Sequence, residues 1–173
     1  NNAFVLDGFI FAINTNGTIS KWDLTADEVS SISLGYSFSS CKHYIENNSV
    51  YFITRTSSDQ KHIYKMNSDL NLQIENDATS LSGTIQDICV NGGVIAVKTS
   101  SKFYILSETT LEPLHNFNTK YSFTAEDILL ADNGKIYYVG QYDSYNAGFV
   151  EISNLIFFDN VDDHYCKIND VID

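Results

Sequence analysis

Basic residues are scarce in this chain of 173 residues. Ten Lys and Arg, with Arg55 the one arginine, stand against 22 Asp and Glu, for a net charge of −12. Phosphate binding draws on clustered Lys and Arg that release counterions, so direct nucleic-acid binding is not expected. Long hydrophobic runs are missing too. The longest, Phe9 to Ile13, is strand-sized and far below the roughly 20 residues of a membrane-spanning helix, so no membrane partner is expected. The three cysteines, Cys41, Cys89 and Cys166, lie far apart and form no C-x-x-C pair. That leaves no reason to invoke a zinc site or a disulfide framework; buried free thiols in an intracellular protein, cytoplasmic or nuclear, are the expectation. The stretch Asn1–Ile10 lacks the basic n-region and small-residue cleavage site of a signal peptide. The first residue is Asn1 and the one methionine is Met66, which suggests a processed product or part of something longer.

Apolar residues make up 43% and charged residues 18% of the chain, enough for a packed core and too few charges for disorder. Helix formers are few, whereas Tyr, Phe, Ile, Val, Thr, Ser and Asn abound. Two Asn-x-Ser/Thr sequons, at Asn16 and Asn47, fall within chance in so Asn-rich a chain. Periodicity points to strands that recur as a unit. Four aromatic and β-branched runs follow turn signals: Gly8–Ile13 after Asp7, Ser49–Thr54 after Asn47-Asn48, Gly93–Val97 after Asn91-Gly92, and Gly134–Val139 after Asp132-Asn133. First strands are expected at Ala3–Leu6, Lys42–Glu46, Thr84–Val90 and Glu126–Leu130. Fourth strands are expected at Val29–Leu34, Leu72–Glu75, Pro113–Phe117 and Leu155–Phe158.

The third strand of each unit carries the strongest signal. Asn16-Gly17-Thr18-Ile19-Ser20-Lys21-Trp22-Asp23-Leu24 is a turn, an alternating strand and a Trp-Asp ending. It resembles the third strand of a WD40 blade, with Asn16 standing where that family has Asp. Three weaker copies, Lys61–Asn67, Lys102–Glu108 and Gly148–Ser153, place Met66, Ser107 and Ile152 at the Trp22 position. The spacings are 44, 41 and 45 residues, and a WD40 repeat spans about 40 to 45. Asn16, Gly17, Trp22 and Asp23 are thus the structural residues of the repeat. No Gly-His dipeptide occurs and Trp-Asp occurs once, so that family's hydrogen-bonded network does not carry over. The fourth unit, Asn133–Asp143, also resembles a kelch blade, with Gly140-Gln141 where that family has a Gly pair.

The fold class that follows is all-β: a β-propeller of about four blades, each of four antiparallel strands. The blades are expected at 1–34, 35–81, 82–120 and 121–163, with 164–173 beginning a further blade. Because this register starts and stops mid-blade, the favoured architecture is part of a larger ring of about seven blades, completed by a second polypeptide or a missing region. A small four-bladed ring and an open arc closed by dimerisation are the other two.

Chemistry-bearing constellations are weak. The acidic stretch Asp159–Cys166 lacks the Gly and closing Glu of a calcium loop, and His164 and Cys166 have no partners at ligand spacing. There is no Gly-x-Ser-x-Gly elbow, and the histidines are scattered: His43 and His62 in the second repeat, His115 in the third and His164 beyond the fourth. Glu126-Asp127 are adjacent on a strand and point to opposite faces. No catalytic residue, metal or cofactor is expected. Binding residues are sought instead in loops: Tyr36, Tyr142, Asp143 and Tyr145 are the candidates for partner contact, the last three in an insertion at Gln141–Ala147, with a counterpart at Ser57–Lys61. The WD40 resemblance implies a non-catalytic scaffold that docks other proteins, and the acidity adds a preference for basic segments. The alternative is a kelch-like or quinoprotein-like propeller acting on a small molecule, for which His43, His115, Asp87 and Asp127 would have to converge.

Overall fold

A computed structural model of the chain describes residues 2–118, 124–130, 135–143, 146–157 and 166–169. Every regular element among them is a strand: β1 (Asn2–Leu6), β2 (Phe9–Ile13), β3 (Thr18–Trp22), β4 (Glu28–Ser33), β5 (Ser40–Glu46), β6 (Ser49–Arg55), β7 (Lys61–Asn67), β8 (Leu72–Asp77), β9 (Ile85–Asn91), β10 (Val94–Thr99), β11 (Lys102–Ser107), β12 (Pro113–Asn118), β13 (Thr124–Leu130), β14 (Lys135–Asp143), β15 (Asn146–Phe157) and β16 (Cys166–Asn169). They form four antiparallel sheets, each a meander of four consecutive strands. The chain divides into two compact units, Asn1–Thr79 and Ser80–Asp173, with two sheets in each.

Turn chemistry sets the meander. Asp7 and Gly8, Asn47 and Asn48, and Gly92 and Gly93 have positive φ in pairs, the conformation of two-residue type I′ hairpins whose twist matches the flanking strands. A second loop recurs at Asn14, Asp23, Thr56 and Asn67. In each the first residue's amide bonds the carbonyl four residues on, and its own carbonyl accepts the amide three residues on. The residue at that third step, Gly17, Ala26, Asp59 or Leu70, is left-handed, with φ between 61° and 86°. This is a type I turn closed by a left-handed residue, and a side-chain oxygen steadies it: Asp23 Oδ1 accepts from the amides of Thr25 and Asp27, and Asn67 Oδ1 accepts from those of Asp69 and Asn71.

In the first unit the alternating residues Phe4, Leu6, Phe11, Ile13 and Ile19 of the first sheet form one buried cluster with Val50, Phe52, Tyr64, Met66 and Leu70 of the second. Each such side chain contributes about 1.5–3 kcal/mol by leaving water. The outer strands β4 and β8 are largely exposed, whereas β6 is buried on both faces over its first six residues. In the second unit, β10 is likewise buried throughout. There Asp87 Oδ2 accepts from the Ile128 amide at 2.8 Å, and Asn91 Nδ2 donates to the Leu130 carbonyl at 2.9 Å, tying β9 to β13.

The fourth sheet corrects the expected boundaries. Leu155–Phe157 belong to β15, which starts at Asn146, and the fourth strand of this sheet is β16. Cys166–Asn169, within the stretch 164–173 expected to begin a further blade, therefore supply the outer strand of the fourth sheet. The long pairing of β14 with β15 accounts for the shift, since it carries the hairpin past the point where strand three was expected to end.

Candidate functional site

Register places a polar and aromatic cluster on one face of the second sheet. Thr54 on β6 opposes His62 on β7, and His62 opposes Asp77 on β8; Phe52, Tyr64 and Glu75 form the next such row. Residues two apart on a strand share a face, so all six side chains project together. The Phe52 and Tyr64 rings stack at 4.8 Å. Tyr36, from the segment joining the first two sheets, closes over them with its ring 4.6 Å from that of His62.

The Tyr36 hydroxyl lies 2.6 Å from that of Tyr64 and 2.8 Å from Thr54 Oγ1, and Tyr64 donates to Glu75 Oε1 at 3.0 Å. Each hydroxyl has one proton, so the Tyr64 proton on Glu75 leaves Tyr36 to donate to Tyr64 and Thr54 to donate to Tyr36. Burial raises the Tyr36 and Tyr64 phenols above their ordinary range, so both stay protonated near neutral pH. Nδ1 of His62 lies 2.7 Å from Asp77 Oδ1. Among the described residues, His62, Glu75 and Asp77 are the one group of three metal-ligating side chains whose donor atoms lie within 4.8 Å of one another.

Tyr36 is held in place from the first sheet. The Leu34 amide bonds the Gly17 carbonyl at 2.8 Å and the Phe38 amide bonds that of Thr15 at 2.9 Å, so the turn between β2 and β3 grips the linker. A Cβ on Gly17 would sit 1.9 Å from the Tyr36 carbonyl oxygen, at a φ of +86°; glycine is required for this approach. Asn16 Oδ1 accepts from the Thr18 amide. Trp22 is half-buried at the end of β3, and the Asp23 carboxylate, held below its usual range by the Thr25 hydroxyl and the Asp27 amide, caps the following turn.

The expected contact residues fare differently. Tyr36 lies in the loop between the first two sheets, half-buried, with its hydroxyl bonded to Thr54 and Tyr64. Tyr142 and Asp143 lie on β14, and Ala147 on β15, so the expected insertion loop is mostly paired strand; Tyr145 lies outside the described residues. Lys61, at the end of the other expected insertion, is buried on β7 and bonds Asp59. The acidic segment 159–165 lies outside the described residues. The His43 ring lies 4.9 Å from that of Phe4, tilted against it, and is half-buried, its imidazole pulled down by that burial. Asp87 is occupied by the Ile128 amide. Neither Cys41 nor Cys89 is in a disulfide, and burial pushes the Cys41 thiol up to about 11, far from the range of a reactive thiolate.

No family model matches the chain, and no curated protein does. Solved structures do. The computationally designed Ika8 protein aligns with a TM-score of 0.60 at 11% identity, over 87% of this chain and 45% of that one. A protein of unknown function from Bacteroides caccae aligns at 0.55 and 11%, over 91% and 66%. Hsv2 of Kluyveromyces lactis aligns at 0.58 and 13%, over 87% and 47%. The chain thus spans about half the length of two of these and two-thirds of the third. At such identities the likeness speaks to fold alone, and the fold is a β-propeller built from four-stranded antiparallel blades.

Proposed function

We propose that the chain is a non-catalytic, WD40-like protein-interaction scaffold that works against further propeller blades and prefers basic partner segments. The observation that carries this reading is a row of apolar side chains on the first sheet. Val5, Ile10 and Trp22 are successive cross-strand partners on β1, β2 and β3, on the face opposite Phe4, Leu6 and Phe11. Val5 is 61% and Ile10 36% exposed. A sheet face of this kind is buried in a propeller by the neighbouring blade, and the longer propellers resembled here extend well beyond the part this chain matches. The occupant that fits is a further four-stranded sheet, which for the purified chain means a second copy.

The excess of acid, −12 overall, favours partners rich in Lys and Arg and makes their association faster at low salt. Light scattering on the purified chain and on its Val5→Lys/Ile10→Lys variant tests the proposal. The native chain is expected to run above its monomer mass of 19.4 kDa, and the doubly charged variant at that mass with its thermal melt intact. A native chain that stays monomeric at high micromolar concentration would sink the reading.

A further inference from the structure

The cluster on the second sheet holds a contact that the scaffold reading does not use. Nδ1 of His62 is shielded from water and has no hydrogen-bond partner, although Asp77 Oδ1 is 2.7 Å away. The oxygen sits off the in-plane axis along which a ring nitrogen donates, so a proton on Nδ1 does not bridge the two. An unprotonated Nδ1 and a carboxylate oxygen, both partly negative, repel at that separation unless a cation is shared between them. A metal ion on the nitrogen's axis holds its other ligands off that axis. With bonds of about 2.0–2.1 Å and tetrahedral angles, nitrogen and oxygen then stand about 3.3 Å apart. Asp77, with 71% of its side chain exposed, is free to open by the difference.

We propose that His62, Glu75 and Asp77 form a zinc site, with three protein donors and the remaining position open to water. One imidazole and two carboxylates suit a borderline first-row ion such as Zn²⁺, whereas Ca²⁺ and Mg²⁺ ask for six or more oxygens. The surroundings orient the ligands. The Tyr36 ring packs at a tilt against His62, and the Tyr64 hydroxyl holds Oε1 of Glu75, leaving Oε2 for the ion. The two strands bring the ligands together by register alone, His62 facing Asp77 and Glu75 two residues along. An ion there clips the exposed outer strand β8 to β7.

Calorimetric titration of the full chain with zinc chloride tests this, with Co²⁺ absorbance as a second readout of the ligand set. The expected result is one ion per chain, with Ca²⁺ and Mg²⁺ inert in the same range. His62→Gln and Asp77→Asn should each weaken zinc by at least about tenfold. Glu75→Gln, at an exposed position, is the variant least exposed to folding artefacts and should weaken zinc as well, while Tyr64→Phe should weaken it by less. Circular dichroism without metal establishes that each variant is folded. Zinc bound with unchanged affinity by His62→Gln, or no saturable binding by the native chain, would overturn the site.

Discussion

Lys98 offers the sharpest test of the energetics. It lies on β10 with 0% of its surface exposed. Its ammonium donates to the Thr99 carbonyl and stands 5.3 Å from the centre of the Phe103 ring. Burial pulls its pKa from 10.5 to about 8. At about 1.36 kcal/mol per unit, holding the charge at pH 7 costs on the order of 3 kcal/mol. The sign follows from linkage. The folded pKa lies below the unfolded one, so between pH 8 and 10.5 the unfolded chain binds more protons and stability rises with pH; at pH 7 the full penalty applies. Lys98→Met keeps the length and removes the charge. Allowing about 1 kcal/mol for the lost bond to Thr99, it should stabilise the fold by about 2 kcal/mol at pH 7, and the gain should vanish by pH 10.5. Urea unfolding of both proteins at pH 7, 8.5 and 10 measures this as a difference, which cancels the titration of all other groups. An equal or lower stability of Lys98→Met at pH 7, with the same pH profile, would refute the reasoning.

Three other substitutions probe the turns and the cluster. Ala26→Gly should raise stability by about 0.5–1 kcal/mol in urea unfolding, because Ala26 is exposed and held at a φ of 67°, where only glycine avoids the left-handed penalty. Gly17→Ala should cost more than about 2 kcal/mol and alter the near-ultraviolet tyrosine signal, since the new methyl would collide with the Tyr36 carbonyl; an unchanged melting temperature would show that the linker yields freely. Tyr36→Phe should cost about 1–2 kcal/mol, as the Thr54 and Tyr64 hydroxyls each lose a partner.

The blades were legible because hairpin chemistry is local. Asp7-Gly8, Asn47-Asn48 and Gly92-Gly93 each pair a turn signal with alternating apolar residues, and each is a type I′ hairpin in the fold. The left-handed turn at Leu70 was not legible. Leu70 carries no turn signal and is buried in the first unit's core, so a packing demand outweighs its local preference at that φ. The fourth sheet was misjudged for the opposite reason. Gln141 to Ala147 reads as an insertion by comparison with the shorter repeats, yet it extends a paired ladder, because added length in a hairpin can lengthen strands as readily as loops.

The cluster on the second sheet was missed although its ingredients are plain in the chain. His62 and Tyr64 alternate on one strand, and Glu75 and Asp77 alternate on the next, but spacing along the chain says nothing until the hairpin register is known. The turn at Asn67–Asn71 and the bulge between Lys65 and Met66 set that register. A shift by one residue would send Glu75 and Asp77 to the other face. Tyr36 reads in the sequence as a loop aromatic, and nothing local shows that its ring meets His62. Gly17, recognised as part of the Trp-Asp repeat, turns out to carry the linker that folds Tyr36 inward over His62. The repeat signature and the cluster are therefore one mechanical unit: the glycine that shapes the first blade's turn also positions the ring that covers the second blade's ligand set.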